Sequence, residues 1–81
     1  MLEQLINRRK TLGVKQSVKA IRNNRAAQVY IGHDADPALT EPVKILCREK
    51  ALSPCEEYSM KELGAAGGIA VGAAVIAVLK D

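Results

Sequence analysis

Aromatic side chains are nearly absent from this 81-residue chain, which contains two tyrosines and neither tryptophan nor phenylalanine. This scarcity excludes modules that stack nucleic-acid bases on aromatic platforms, such as the RRM and the cold-shock domain. Cysteine is also scarce, with two residues, so the chain is not a disulfide-dense secreted module. No secretory signal pattern is visible at the N-terminus, and we therefore expect a cytoplasmic protein.

Residues suited to catalysis or metal binding are few as well. The single histidine, His33, falls in a predicted turn, where a surface or capping role is more common than a catalytic one. Cys47 and Cys55 are separated by seven residues, a spacing that matches no common zinc site. The glycines precede no Gly-Lys-Ser/Thr sequence of a Walker loop. We therefore expect no enzyme activity, no cofactor and no metal site.

What is present is the composition of a small folded domain. Hydrophobic residues make up 48% of the chain and charged residues 26%, which argues against a disordered tail or a collagen-like repeat. A chain of this length exposes too much surface to support two separate cores. We therefore expect residues 1–81 to form one domain.

The charge is distributed unevenly along the chain. Residues 1–25 carry seven basic side chains and one acidic side chain, a net charge of +6. Residues 26–81 carry five basic and eight acidic side chains, a net charge of −3, so the whole chain has a net charge of +3. A cluster of this kind produces a local positive field, whether it serves as a solvated surface or as an anion-binding site.

Helices and strands are predicted to alternate. In chain order, the patterns predict helices at Met1–Lys10 and Gly13–Asn24, a strand at Ala27–Ile31, a helix from Pro37 to about Ala51, a weaker strand at Leu52–Tyr58, a helix from Met60 to about Ala66, and a strand at Ala73–Leu79. The helical residues expected to face the core are Leu2, Leu5, Ile6, Val14, Val18, Ile21, Leu39, Val43, Leu46 and Cys47. Such alternation predicts an α/β fold, a three-layer α-β-α sandwich with a small mixed central sheet.

Polar residues mark the starts of two of these helices. Asp36 precedes Pro37, which suits an N-cap followed by proline at the first helical position. Asp34, two residues earlier in the same turn, is explained by local hydrogen bonding or capping. Ser59 and Glu62 have the spacing of a capping box.

The C-terminal stretch Leu63–Leu79 has no charged residue, so a membrane span is an alternative. Four glycines interrupt it, and Gly67-Gly68 is a poor centre for a helix. A helix end, a glycine loop and a core strand account for these glycines, and we expect no membrane partner.

The start of the second helix has the residue types of an anion-binding or base-reading site. Gly13 would let a phosphate approach the free N–H groups at a helix start. Lys15 opposes the helix dipole there unless something negative docks, and Gln16 can both donate to and accept from a base edge. Lys19, one turn later, would reach a phosphate. An ordinary solvated helix face remains an alternative explanation of the same spacing.

Three stretches resemble the ribosomal protein L7Ae family, which also includes L30e-type and S12e-type ribosomal proteins. They are Gly13–Lys19 (GVKQSVK), Asp34–Pro37 (DADP) and Leu63–Ala74 (LGAAGGIAVGAA). They occur in the family's order over nearly the whole chain, and the bacterial YbxF-like branch is the most similar. Ala70 stands where family members commonly have an acidic residue, and His33 where a lysine or an acid is usual.

The resemblance implies an α-β-α sandwich that binds kink-turn RNA. Carried over, Gly13, Lys15 and Gln16 would lie at tandem sheared G·A pairs, with Lys19 on backbone phosphate. An apolar loop would pack on a flipped-out nucleotide. The RNA-binding residues that the resemblance implies are Gly13, Val14, Lys15, Gln16, Lys19, Gly68, Ile69, Ala70 and Val71.

The expected function is that of a ribosome-associated protein that recognises and stabilises kink-turn RNA. Its expected partners are structured RNA, with ribosomal RNA among the candidates, and the ribosome, and we expect it to act as a monomer. A protein-interaction module on the same fold is the alternative, because the apolar stretch Ile69–Val71 could serve either role. Lys15, Lys19 and Arg22 on one helix face favour RNA, since a protein-binding member has no need of them.

Overall fold

Helices and strands alternate along the chain in the computed structural model, except that α3 is followed directly by α4. The structure describes residues 2–80 and the side chains of residues 5–80. The elements are α1 (Leu2–Asn7), β1 (Lys10–Leu12), α2 (Val14–Arg22), β2 (Ala26–Ile31), α3 (Pro37–Glu49), α4 (Met60–Ala66) and β3 (Val75–Leu79). The side chain of Leu2, predicted to face the core, lies outside the described residues.

The last strand, β3, forms the centre of the sheet. The strand order is β1-β3-β2 and both pairings are antiparallel. A parallel bridge joins Tyr30 in β2 to Cys55, and it is the parallel part of the sheet within residues 2–80. The prediction of a strand at Leu52–Tyr58 is wrong, because this segment pairs with the sheet through the single bridge at Cys55. Pro54 has no N–H to donate and so limits the ladder.

The sheet has helices on both faces, as the alternating residues of β3 require. Val75 and Ala77 face one side, and Ile76 and Val78 face the other. The first side packs on α2 and α3, in a core of Ala20, Ile21, Ala26, Val29, Ile31, Val43, Cys47, Val75 and Ala77. The second packs on α1 and α4, in a core of Leu5, Tyr30, Leu63, Ala73, Ile76 and Val78. The predicted three-layer α-β-α sandwich is confirmed.

Two features of the N-terminal segment differ from the prediction. The first helix ends at Asn7, and Lys10–Leu12 forms the edge strand β1, which the sequence pattern did not predict. Three residues are too few to show the two-residue period of a strand, so hydrogen bonding to β3 decides their conformation. Ile6 is 56% exposed while Leu5 is fully buried, because adjacent helical residues lie about 100° apart around the axis.

Helix α3 buries a narrower stripe than predicted. Thr40, Val43 and Cys47 face the core, and Leu46 packs partly against it. Leu39 is 48% exposed, so its predicted burial is wrong. Thr40 occupies the inward position of that first turn instead, three residues before Val43.

The predicted helix caps are confirmed. Asp36 Oδ1 accepts a hydrogen bond from the N–H of Ala38 at 2.9 Å, and Pro37 is the first residue of α3. Ser59 and Glu62 form the reciprocal capping box of α4. These caps use the polar residues of two turns to satisfy helix N–H groups, which leaves the turns with a structural role.

The uncharged C-terminal stretch is divided between α4, a glycine loop and β3. Across residues 2–80, no helix has both the length and the apolar character needed to cross a membrane.

Candidate nucleic-acid interface

The start of α2 is held against the sheet by its backbone. Gly13 has φ 98° and ψ 164°, a conformation open to glycine and strained for other residues. Its N–H donates to the carbonyl of Val75 at 3.0 Å, which ties the helix start to the first residue of β3. Its own carbonyl accepts from Ser17 at 3.1 Å, the first hydrogen bond of the helix. The N–H groups of Val14, Lys15 and Gln16 therefore have no helix carbonyl to donate to.

Ser17 is a positioning residue that the sequence analysis missed. It is fully buried, with its Oγ 2.9 Å from Thr11 Oγ1 and 3.5 Å from the carbonyl oxygen of Val75. These contacts join α2 to both β1 and β3. The signal was its spacing, because Ser17 lies three residues after Val14 and four before Ile21, on the same face of the helix.

The outward face of α2 is basic. Lys15, Gln16, Lys19 and Arg22 are exposed, while Val14 packs partly against the core. The first turn contains no acidic residue. Among the described residues, no acidic side chain forms an ion pair with Lys15, Lys19 or Arg22. An unneutralised positive charge at a helix start, where the dipole is already positive, favours an anionic ligand.

A cleft runs between α2 and the sheet. It has a volume of about 150 Å³ and is lined by Thr11, Gln16, Lys19, Ala20, Asn23, Arg25 and Leu79. Gln16 and Lys19 also line a larger hollow, of about 590 Å³, together with Lys15, Val18 and Arg22. The side chains of Gln16 and Lys19 thus border both concave surfaces.

The glycine loop, residues 67–74 between α4 and β3, folds back over α4. A Cβ on Gly64 would collide with the carbonyl oxygen of Val71, so this close approach requires glycine. The N–H of Ile69 donates to the Gly64 carbonyl, and the N–H of Ala73 donates to the Met60 carbonyl, both at 3.0 Å. These contacts fix the loop along the helix.

The loop presents two apolar side chains outward. Val71 is 71% exposed and Ala70 is exposed beside it. Ile69 packs partly against the core between the sheet and α4. The outward apolar surface of the loop therefore consists of Ala70 and Val71, whereas Ile69 packs towards the core.

The helix start and the glycine loop lie at the same end of the molecule. A Cβ on Gly67 would lie 2.7 Å from Cδ2 of Leu12, the residue before Gly13. Gly67 follows the last residue of α4 and precedes Gly68, the first residue of the proposed loop contact. The structure thus brings together the two stretches that the sequence analysis singled out, although Leu12 and Gly67 are 55 positions apart in the chain.

The other chemistry-bearing residues are separated from this end or hold the fold. Cys47 is fully buried, and burial raises the pKa of its thiol, which makes it a poor nucleophile at neutral pH. Asp34 Oδ1 accepts from the N–H of Met60 at 2.8 Å and so caps α4. Among residues 2–80, no three His, Cys, Asp or Glu side chains cluster as a metal site would require.

Residues 3–81 match the model of the Ribosomal protein L7Ae/L30e/S12e/Gadd45 family. The chain is similar to an "RNA-binding protein" of Bacillus pumilus, at 44% identity over 68 residues, covering 84% of this chain and 83% of the relative. It is also similar to "RNA-binding protein YbxF" of Geobacillus stearothermophilus, at 36% identity over 69 residues, covering 85% of this chain and 84% of the relative.

Two solved structures share the fold. The "Giardia lamblia 15.5kD RNA binding protein" superposes with a TM-score of 0.86 at 22% identity, covering 99% of this chain and 68% of the other. A protein of unknown function from Bacillus halodurans also gives a TM-score of 0.86, at 24% identity, covering 98% of this chain and 83% of the other.

Proposed function

Because the chain belongs to the ribosomal protein L7Ae/L30e/S12e/Gadd45 family, we propose that it binds RNA, and that it recognises and stabilises kink-turn RNA in the cytoplasm, on the ribosome or on another structured RNA. One observation carries the proposal. The uncapped, basic start of α2 and the exposed apolar loop after α4 lie side by side at one end of the sandwich.

The start of α2 would read the sheared G·A pairs. Gly13 leaves the helix start open, so the N–H groups of Val14 and the next residues can approach an anion or a base edge closely. Lys15 can donate to guanine O6 and N7, and Gln16 can both donate and accept. Lys19, one turn further, would contact a backbone phosphate.

The loop would hold the flipped-out nucleotide. Val71 and Ala70 offer apolar contact to the face of a base, and Gly68 lets the backbone approach it. Ala70 has no carboxylate to accept a hydrogen bond from the base, so this contact depends on packing. We therefore expect the loop contact to be less selective for the type of base than the contact at Gln16.

A single copy of the chain holds both contacts, so we propose that it acts as a monomer. Kink-turn RNA interconverts between extended and kinked forms, and a protein that binds the kinked form better shifts that equilibrium by its differential affinity. Shape and a few base edges then give specificity, without an aromatic platform.

The chain is not an enzyme. Its family is described as ribosomal, and the relatives compared above are named for RNA binding rather than for a reaction. The sequence-based expectation is confirmed on that ground.

The test is a titration of the purified protein against two short RNAs at near-physiological salt. One RNA has a three-nucleotide bulge followed by tandem G·A pairs, and in the other those pairs are G·C. We expect tight binding to the first and much weaker binding to the second. Equal, salt-sensitive binding to both would reduce the basic face of α2 to a general phosphate-binding surface.

Two variants separate base reading from phosphate binding. Gln16→Ala should weaken binding to the G·A RNA more than to the G·C RNA, and equal losses would remove Gln16 from the specificity role. Lys19→Ala should weaken binding to both RNAs. The slope of log affinity against log salt should become shallower by the amount expected for roughly one phosphate contact. An unchanged slope would mean that Lys19 contacts no phosphate.

A protein-interaction module is the second candidate, favoured by the exposure of Val71. Absence of binding to either RNA would make it the leading hypothesis. Capture of a protein partner that Val71→Asp abolishes would then support it.

A further inference from the structure

We propose that Asp34 is a positioning residue of the RNA-binding site, and that it sets the place of the glycine loop by holding the first residue of α4. This inference rests on the proposed function, because it takes Ala70 and Val71 as the contact with the flipped-out nucleotide. It deepens that function by adding a carboxylate that acts through Met60 and touches no RNA itself.

The turn that contains Asp34 lies between the glycine loop and the start of α4. The N–H of Gly32 donates to the carbonyl of Ala74, the last residue of the loop, at 2.9 Å. The N–H of His33 donates to the carbonyl of Tyr58, shortly before α4, at 3.0 Å. The turn is therefore bonded to the chain on both sides of α4 and its loop.

Asp34 links this turn to the loop through Met60. Its Oδ1 accepts from the N–H of Met60 at 2.8 Å, a group that has no helix carbonyl to donate to. The carbonyl of Met60 accepts in turn from the N–H of Ala73 in the loop at 3.0 Å. Because these two bonds use the peptide groups on either side of one Cα, a shift of the Met60 N–H also shifts the carbonyl that holds the loop.

Close packing around Met60 transmits such a shift. A Cβ on Gly32 would lie 2.6 Å from Met60 Cγ and 3.0 Å from its backbone nitrogen, and a Cβ on Gly72 would lie 3.1 Å from Met60 Cβ. These distances are shorter than the about 3.5–4 Å of an ordinary contact between carbon atoms, so little free space remains on either side. Gly72 directly follows Val71, and displacement of Met60 would therefore move the outward apolar surface of the loop.

The capping box of α4 does not share this link. Ser59 Oγ accepts from the Glu62 N–H, and Glu62 Oε1 accepts from the Ser59 N–H, so these two bonds stay within the first turn of the helix. The bond from Met60 to Asp34 instead connects the helix to another turn. Asp34 and Ser59 thus provide two caps of one helix, of which the first also couples to the loop.

The experiment measures how much of the RNA affinity depends on the flipped-out base. One kink-turn RNA is intact, and the other has an abasic site at that nucleotide, with the sugar, the phosphates and the G·A pairs unchanged. Wild type should bind the intact RNA about tenfold more tightly, within the range found for groups in direct contact. Asp34→Ala should reduce this ratio to about twofold and leave the affinity for the abasic RNA unchanged.

Three further variants test the path through Met60, at a temperature where all are folded. Asp34→Asn keeps an oxygen that can accept from the Met60 N–H, so it should restore the wild-type ratio. Ser59→Ala is the matched control, because it removes the other cap of α4, and its ratio should equal that of wild type. Gly32→Ala would push against Met60 from the opposite side and should lower the ratio as Asp34→Ala does.

Hydrogen exchange in the free protein gives a measure that needs no RNA. The N–H of Ala73 is bonded to the start of α4, and the N–H of Ile69 is bonded to Gly64 further along the helix. Asp34→Ala should speed exchange at Ala73 more than at Ile69, whereas Ser59→Ala should change both by the same factor. An equal change at both positions in Asp34→Ala would show that the carboxylate stabilises the domain as a whole, and would overturn the inference.

The RNA results separate this inference from the proposed function. If wild type prefers G·A over G·C pairs but binds intact and abasic RNAs equally, the loop contact and this inference fail while the contact at α2 stands. If the wild-type ratio is about tenfold and Asp34→Ala keeps it, the inference alone is wrong.

The charge of Asp34 is tested by the sign of the change. Removal of a carboxylate lowers its repulsion of RNA, so tighter binding of both RNAs by Asp34→Ala would show an effect of charge and overturn the inference. It is also overturned if Asp34→Asn behaves like Asp34→Ala, because the hydrogen bond would then not be what matters. If wild type does not distinguish G·A from G·C pairs, the proposed function and the inference both fail.

Discussion

Helices α2 and α4 begin in opposite ways. The first N–H of α4, that of Met60, donates to Asp34 at 2.8 Å. Ser59 Oγ accepts from Glu62 N–H at 3.1 Å, and Glu62 Oε1 accepts from Ser59 N–H at 2.9 Å. Two carboxylates and a hydroxyl thus satisfy this helix start within the protein. This helix start therefore does not depend on an external anion.

The start of α2 has none of these acceptors. Gly13 provides no side-chain cap, and the first turn has no acid. Lys15 is the second residue of α2, as Lys61 is the second residue of α4, but Lys61 has Glu62 beside it. The same chain therefore completes one helix start with its own residues and leaves the other positive and open. This difference supports the proposal that an anionic partner, RNA, binds at the start of α2.

Lys15→Glu is the strongest test of the difference between the two helix starts. A glutamate near a helix N-terminus should stabilise α2 by about 0.3–1 kcal/mol through the dipole. Binding to the G·A RNA should nevertheless fall about 100-fold, close to 3 kcal/mol, because a carboxylate would face the RNA. Thermal unfolding and an RNA titration of the same variant measure the two opposite effects.

Lys61→Glu is the control, with the same position in its helix, the same charge change and the same expected dipole effect. Its loss of RNA affinity should be much smaller than that of Lys15→Glu, because Lys61 belongs to a helix start that is capped within the protein. Equal losses for both variants would show that net charge, and not the open start of α2, decides binding.

Gly13→Ala sharpens the comparison from the backbone side. A Cβ at Gly13 meets no atom within 4 Å, so the cost comes from the backbone angles alone. At φ 98° and ψ 164°, that cost is about 1–3 kcal/mol. Chemical denaturation should show a loss of this size, with weaker RNA binding as the helix start shifts. An unchanged midpoint would mean that the helix start adapts without cost.

The sequence predicted those parts of the molecule that local spacing determines. Ser59 and Glu62 are three residues apart, and Asp36 directly precedes Pro37, so their caps follow from neighbouring residues. The continuous apolar run of β3 and the apolar stripe of α2 likewise predict, from neighbouring residues alone, which parts of these elements are buried. Together these local features were enough to predict the three-layer fold.

The sequence did not predict contacts between distant segments. Asp34 caps a helix that begins 26 residues later, and β1 is a strand because β3 lies beside it. Leu39 is exposed because Thr40 occupies the inward position. A prediction based on hydrophobicity places leucine inside and threonine outside, so it is wrong at these two residues.

The candidate site divides along the same line. The spacing of Lys15, Gln16 and Lys19 on one helix was visible in the sequence. Their closeness to the glycine loop depends on the contact between Leu12 and Gly67, and the role of Ser17 depends on its contact with Thr11 in β1, a strand that the sequence pattern did not predict. Neither contact has a local signature, and so the shape of the site required the folded structure.

Ser59→Ala tests the completed helix start. Loss of this N-cap should destabilise the protein by about 1 kcal/mol, a decrease of about 4–8 °C in Tm for a domain of this size. RNA affinity should not change at temperatures where the variant is folded, because α4 would bind no ligand through its N-terminus. A specific loss of RNA binding would contradict the division of roles between the two helices.

The smallest expected effect is the pH dependence of that same cap. The hydrogen bond from the Ser59 N–H, together with one to the Ser59 side chain, lowers the pKa of Glu62 below its ordinary value of 4.5. A carboxyl whose pKa is lower in the folded state adds stability above its unfolded pKa, and this contribution is lost as the pH falls through the folded value. Glu62→Gln should therefore be less stable than wild type at neutral pH, with a difference that shrinks as the pH falls below 4.5. Denaturation midpoints of both proteins across this range measure the effect, and a difference that stays constant with pH would show that the charge of Glu62 contributes nothing to the cap.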